Sequence, residues 1–298
     1  MRGTAIIVVI LLVGASVAAQ GPPSRPLTPE EEKARQARQA AAAPDAPRPI
    51  DMLDTVWIEE QTWMETRDAI RAGKTVAIVG SGGLEQNGPY MPNGKHNFVL
   101  RATCEAIARE LGNALCAPIV TLEPGNPERP GLTPGSVFIT QDTFKAVLRD
   151  LSTSLRTMGF NDIVFIADSG GNVRGMTEVA GELNAKWMGA RGRVHYIDAY
   201  YEEDKWSYAF LKSIGIFQQP DVQSATRYDI HDDYHYEALV ALTIPVQLRE
   251  PQRKKAGRFS INGVEMESTA KVLENGKKIL ADRVRITAAA IRKAIRSQ

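Results

Sequence analysis

The sequence predicts an α/β protein, a three-layer α/β/α sandwich around a mainly parallel sheet. Short runs rich in Val and Ile alternate with amphipathic helical patterns from about residue 51 onward, the order that builds a parallel sheet between helices. The runs are apolar throughout, as strands covered on both faces must be. The segments that follow two of them are crowded with Gly, Asn and Pro, and in such sheets ligands bind where strands end and loops meet helix N-termini.

Each element has its own warrant. Thr62–Ala72 carries a helical pattern and precedes the strand Val76–Val79. Phe98–Leu111 reads as the next helix and Leu115–Val120 as the next strand. A long amphipathic stretch, Thr143–Met158, stops at Gly159, a natural helix end, and leads to the strand Asp162–Ala167. The helix Val173–Trp187 and the strand Val194–Ile197 complete the alternation. The last long pattern, Ser268–Arg296, is helical with a predicted interruption at Asn275-Gly276.

The N-terminal fifty residues follow different rules. Met1-Arg-Gly-Thr precedes an apolar core, Ala5–Val17, and the small residues Val17-Ala-Ala19 follow it. That is the pattern of a secretory signal over residues 1–19, too short for the roughly 20 residues that span a bilayer. A mature chain beginning near Gln20 and exported to the periplasm or medium is the expectation, with no membrane attachment after cleavage. Residues 20–50 have prolines at both ends and a Glu/Lys/Arg/Gln/Ala middle. Such a segment buries too little surface to offset its chain entropy and reads as a tether, with a transient helix over Glu30–Ala42. The folded domain is expected over residues 51–298.

Net charge is +1, so nothing points to nucleic acid. No nucleotide-binding pattern is present. Cys104 and Cys116 are the two cysteines, one in a helical pattern and one in a strand. Export permits a bond between them, but two buried free thiols are the expectation.

The chemistry-bearing residues cluster in three segments. The first is the loop SGGLEQNGPYMPNGKHN, Ser81–Asn97, with the acid Glu85 and the imidazole His96 in a backbone-permissive frame. The second is Asp168-Ser-Gly-Gly-Asn172 after the strand, where Asp168 stands as a ligand or base and Asn172 as a helix cap. The third is His231-Asp-Asp-Tyr-His-Tyr-Glu237, which resembles a helix start; His231 and His235 lie four apart, the spacing of a two-histidine metal pair.

In this order and spacing the segments resemble the creatininase (creatinine amidohydrolase) family of metal-dependent amidohydrolases, from about Trp57 to Ile244. The family's first loop, G-x-x-E-Q-H-G-P-H-L-P-x-G-x-D, is followed without a gap by Gly82 to His96. Its N-G-H-G-G-N corresponds to Ala167–Asn172, its P-G-T to Pro134-Gly-Ser136, and its H-x-G-x-x-E-T-S places a histidine at His231. The resemblance implies the sandwich fold, a homo-oligomer, often a hexamer, and hydrolysis of small amides. It also implies a pair of divalent metals, yet this chain departs at the ligand positions. The family's histidine is Asn87, its aspartate His96, its second-motif histidine Ser169 and its third-motif glutamate Tyr236; Glu85 is unchanged.

Three readings of the altered site follow. In the first, Glu85, His96 and Asp168, with help from His231 or Asp233, hold one Zn or Mn that activates water. Glu85 or Asp233 is then the base and His231 protonates the leaving nitrogen. In the second, the site works without metal: Asp232 or Asp233 polarises His231, and Ser169, Gly170 and Gly171 hold the oxyanion. In the third, catalysis is lost and the pocket binds a small polar ligand. Asn87 and Asn172 join Ser169, Gly170 and Gly171 as substrate-binding candidates, and Lys95 is a candidate partner for Glu85. Asp198, Tyr200 and Tyr201 are placed to line the pocket. His195, Trp187 and Trp206 read as packed residues, and Arg253-Lys-Lys255 as a solvated turn.

Overall fold

The structure is a computed structural model that describes residues 25, 27–129, 131, 134–202, 207–218 and 231–297. The expected signal segment and Trp206 lie outside the described residues. The chain divides into two units, Met1–Asp51 and Met52–Gln298. In the first, α1 (Pro29–Ala41) starts with a capping box between Thr28 and Glu31 and carries three glutamates in its first turn, which suits the positive end of a helix.

The second unit is the predicted α/β fold. α2 (Trp63–Arg71), opened by a Thr62/Glu65 capping box, precedes β1 (Val76–Ser81). Then come α3 (Lys95–Leu111), β2 (Ala114–Cys116), α4 (Gln141–Met158), β3 (Asp162–Ala167), α5 (Gly170–Lys186) and β4 (Arg193–Tyr196). All four strands are parallel, in the order β2-β1-β3-β4. β1 is buried along its whole length and β3 at all but its first residue. Their valines and isoleucines pack with Phe144, Phe160, Leu148 and Val179 in one core. Cutting Ile78 or Ile163, both fully buried, to alanine would cost about 2–5 kcal/mol.

The chain leaves β1 toward one edge of the sheet and leaves β3 toward the other. Right-handed crossovers therefore put α3 on one face and α4 and α5 on the opposite face. The crevice between the carboxyl ends of β1 and β3 is the switch point where such sheets bind ligands.

The remaining elements are α6 (Ser207–Ser213), α7 (Tyr234–Thr243), α8 (Glu250–Lys255), the short hairpin β5 (Ser260–Ile261) with β6 (Val264–Glu265), and α9 (Thr269–Arg296). α7, α9 and the hairpin form a second apolar cluster around Leu239, Val272 and Ile279.

Four expectations need correction. Cys104 and Cys116 are joined in a disulfide, with Cα atoms 6.2 Å apart: α3 runs back over β2 and brings them within bonding range. α9 is not interrupted at Asn275-Gly276. A Cβ at Gly276 would meet the Ala238 carbonyl oxygen at 2.5 Å, so this glycine lets α7 and α9 approach, while Asn275 donates to the Tyr234 hydroxyl at 2.8 Å. Arg253 is not solvated but 2% exposed and paired with Glu237 at 2.6 Å. α3 begins at Lys95, not Phe98, so Lys95 and His96 sit on the rigid first turn of a helix.

Candidate active site

The first loop is held by its own backbone and by the segment before α4. The Glu85 amide donates to the Asn93 carbonyl at 3.0 Å, and the Gln86 amide to Ser136 Oγ at 3.0 Å. Asn87 lies within the loop rather than in the cavity wall, and its amide donates to the carbonyls of Glu85 and Pro92 at 3.1 and 3.0 Å. Asn172 is fully buried and braces the same loop, donating to the carbonyls of Ser81 and Gly82 at 3.0 and 2.7 Å. It is not the cap of α5; that position belongs to Ser169. Neither asparagine lines the cavity, and the NH2 groups of both are spent on backbone carbonyls.

The structure brings Glu85, His96 and Asp168 into one chain of contacts. Asp168 Oδ1 lies 2.7 Å from His96 Nδ1, and His96 Nε2 lies 2.8 Å from Glu85 Oε1. The series continues at both ends. Lys95 Nζ is 3.1 Å from Glu85 Oε1. Arg283 Nη2 and the Tyr200 hydroxyl reach Asp168 Oδ2 at 3.1 and 2.6 Å. Asp168 and Arg283 are fully buried.

These contacts set the charges. Burial pushes the Glu85 carboxyl up, but the His96 hydrogen bond and the Lys95 charge outweigh it and hold the group down to about 2. Burial opposes protonation of His96, yet its bonds to Asp168 and Glu85 prevail and raise it above the usual imidazole value. Burial acts on Asp168 in the same unfavourable sense, and the Arg283 charge, with His96, keeps it below the usual carboxylate range.

A third carboxyl enters from the loop after β2. Glu123 is buried, and its Oε2 accepts a hydrogen bond from Ser169 Oγ. A Cβ at Gly83 would meet Glu123 Cδ at 2.7 Å, and one at Gly171 would lie 3.1 Å from Glu123 Oε2. These glycines make room for the acid. Burial raises the Glu123 carboxyl above its ordinary value, and Oε1 has no hydrogen-bond partner among the described residues.

The third segment closes the cavity. His231 has a left-handed backbone, φ 56°, and its carbonyl accepts a hydrogen bond from Lys95 Nζ. It lies outside α7, so it does not share a helical face with His235, which is buried and paired with Asp233 at 3.2 Å. Asp233 caps α7, accepting from the Tyr236 amide at 2.8 Å; cap and His235 absorb its charge, and His231 makes no ion pair with it. Burial pushes the Asp232 carboxyl well up.

The resulting cavity, about 460 Å³, is lined by Glu85, Lys95 and His96, by Glu123 with Ser169, Gly170 and Gly171, and by Tyr201, His231, Asp232, Asp233 and Tyr236. Tyr200, expected to line the pocket, lies behind it on Asp168. Asp198 is exposed and bonds the Ala199 amide. Trp187 is core, and His195 pairs with Asp162 at 2.9 Å, far along β3 from the cavity.

Sequence reasoning missed Glu123 and Arg283. The signal for Glu123 was its place at the carboxyl end of a strand, beside Pro124-Gly125. Arg283 was legible as a charge inside the buried stripe Ile279, Arg283, Thr287, Ile291 of α9.

The family model for creatininase, creatinine amidohydrolase, matches residues 59–291. A search of curated proteins finds no match. Among solved structures, a crystal structure of creatinine amidohydrolase is similar with a TM-score of 0.58 and 19% identity, over 81% of this chain and 98% of that one. A glutamate-to-glutamine creatininase variant described as the Zn-Zn type gives a TM-score of 0.58 at 20% identity, over 81% and 99%. A creatininase described as the Mn form gives 0.58 at 19%, over 81% and 99%. With the family model spanning most of the chain and the parallel sheet matching the fold, this protein belongs to the creatininase family.

Proposed function

We propose that the protein hydrolyses the C–N bond of a small cyclic or otherwise non-peptide amide in the cavity over β1 and β3. The observation that carries this is the unbroken series Asp168–His96–Glu85–Lys95 beside a buried acid and a glycine turn, with Asp168 behind the wall and the rest lining the cavity. Family membership supports the same reaction class, and one neighbouring structure is a creatininase complexed with creatine.

The residues divide the work as follows. Glu123, with its raised carboxyl and unpartnered Oε1, takes a proton from the attacking water as the water oxygen bonds to the carbonyl carbon. The amides of Gly170 and Gly171, at the N-terminus of α5, hold the oxygen that gains charge. His231, at the cavity edge, gives the leaving nitrogen its proton as the C–N bond breaks. The products are a carboxylate and an amine. Glu85 and His96 fix the polar wall and its charge rather than act as bases, because a carboxylate held near 2 is a poor proton acceptor at neutral pH.

The neighbours described as zinc and manganese forms raise the question of a metal here. The donor set of this chain does not fit one as it stands. Both nitrogens of His96 and both oxygens of Asp168 are engaged by protein groups, and an ammonium stands against Glu85. Among the described residues no three His, Cys, Asp or Glu side chains converge as a metal site.

A second reading, a domain that binds a small polar ligand without turnover, draws on this same saturation of the polar groups. Incubating the full chain with a panel of cyclic amides, formamides and ureides, and following ring-opened or released amine products by mass spectrometry, separates the two. Hydrolysis that falls at least about 100-fold in Glu123→Gln is expected. Ligand-induced thermal stabilisation with no product from any compound would favour the binding reading. Export, and assembly into a hexamer, are also proposals; size-exclusion chromatography with light scattering on the mature chain tests the second.

A further inference from the structure

A lysine at the start of a helix that lines a cavity needs a reason. Lys95 is the first residue of α3, where the N-cap Gly94 offers no side-chain bond, and it is 2% exposed. Burial disfavours an ammonium, and the positive end of a helix dipole disfavours it again. Three groups on the cavity wall compensate. Glu85 Oε1 lies 3.1 Å from Nζ, the His231 carbonyl accepts a hydrogen bond, and the face of Tyr236 lies 4.8 Å away. Acid, carbonyl and ring together make a built seat for one cation.

Within the contact chain the charges are balanced: the carboxylates of Glu85 and Asp168 face the fixed cations Lys95 and Arg283, before His96 is counted. Of the other acids lining the cavity, Asp233 is spent on His235 and the α7 cap, and burial pushes Glu123 and Asp232 toward the protonated form. A divalent ion entering beside Glu85 would add two positive charges to that contact chain and would stand within contact range of an ammonium. It would also have to break the direct contact between His96 and Glu85, 2.8 Å long. The geometry points to Lys95 as the cation of this site, held against Glu85, the metal-ligand position of the first motif that this chain keeps, so that the protein binds and turns over its ligand without a metal ion. This rests on the site assignment proposed above, and deepens it: the substrate carbonyl would meet an ammonium and two backbone amides rather than a Lewis acid.

The test reads metal, not turnover, so that its failure and the failure of the hydrolase reading are separate results. The purified full chain is dialysed against zinc chloride or manganese chloride, washed, and analysed by plasma mass spectrometry, with melting followed in parallel. The parent protein should retain far less than one ion per chain, and its melting temperature should not move with zinc or with a chelator, since an ion bound only by the folded state would raise it. Lys95→Ala removes the seated cation and should gain zinc, with a zinc-dependent rise in melting temperature, whereas Lys95→Arg should behave as the parent does. If Lys95→Ala does not fold, Lys95→Met keeps the bulk of the side chain and takes its place. About one ion per chain in the parent would overturn the inference, and so would a folded Lys95→Ala or Lys95→Met protein that takes up no more zinc than the parent.

Discussion

Strand β3 carries an aspartate at each end, and each aspartate holds a histidine. At its start Asp162 Oδ1 lies 2.9 Å from His195 Nε2; just past its end Asp168 Oδ1 lies 2.7 Å from His96 Nδ1. Residue types, distances and the burial of the imidazoles are alike, with His195 8% and His96 4% exposed. The surroundings differ. Asp162 keeps a side chain 17% exposed, whereas Asp168 has none. His96 is gripped on its far nitrogen by a second carboxylate, which is itself held by a cation lining a cavity. The comparison teaches that a His–Asp pair acquires chemistry from its further neighbours and from its end of the strand: loops and helix N-termini gather at the carboxyl end.

The largest effect should come from cutting the pair at the cavity. His96→Ala leaves Asp168 and Glu85 as buried carboxylates facing each other across a gap. Breaking a buried charged pair costs about 3–5 kcal/mol, readable as a lower urea midpoint. Amide turnover should fall by about 100-fold, because the wall that positions the substrate is lost. A His96→Ala protein that folds and hydrolyses amides as the parent does would show that the two pairs are equivalent, and the comparison would carry no functional content.

The next effect is on pH, and it has two limbs. The Glu85 carboxyl is held at about 2 against an ordinary 4.5. Its stabilisation is therefore complete above pH 4.5 and is lost as pH falls through 4.5 toward 2. Its side chain is 18% exposed, and the shift corresponds to about 3 kcal/mol. His96 is raised above its ordinary 6.5, so its contribution is complete below pH 6.5 and is lost as pH climbs through the raised value. Urea midpoints measured from about pH 2 to about pH 9 should trace both limbs, and Glu85→Gln should flatten the acid limb. An acid limb that Glu85→Gln leaves unchanged would mean that Lys95 and His96 do not hold this carboxyl down.

Much of this was legible beforehand, for physical reasons that also mark where reading fails. Strand and helix alternation was legible because buried parallel strands write continuous apolar runs. The union of Glu85, His96 and Asp168 was legible because strand ends and glycine turns fix where loops go. Helix starts were less so: a sequence pattern marks the apolar stripe, and Lys95 and His96 precede the stripe of α3 although they belong to its first turn. Asn172 was read as a cap because cap preference is local, whereas its amide serves a loop 90 residues away. Arg283 and Glu123 arrive at the site from elements remote in sequence: a charge in a buried stripe or an acid after a strand marks itself as unusual, but spacing rules do not say which site it joins. The disulfide was missed for the same reason, since it depends on how closely α3 approaches β2.

The smallest effect belongs to the other pair. His195 sits on β4, in register beside Val164 of β3, and its ring reaches back to Asp162 at the amino end of the sheet. Replacing it with glutamine keeps a side-chain N–H donor at a similar reach and leaves Asp162 with partial access to water. The hydrogen bond that is exchanged contributes about 1 kcal/mol, and Asp162, with a side chain 17% exposed, keeps water as an alternative partner. His195→Gln should therefore lower the urea midpoint slightly, by no more than about 1 kcal/mol in stability, with amide turnover and zinc uptake unchanged. The outcome is informative because each substitution removes the imidazole held by an aspartate of β3, one at the amino end and one at the carboxyl end. A His195→Gln protein that lost turnover as His96→Ala should would mean that strand β3 transmits strain from one end to the other, and position at the carboxyl end would no longer explain why one pair is chemical and the other structural.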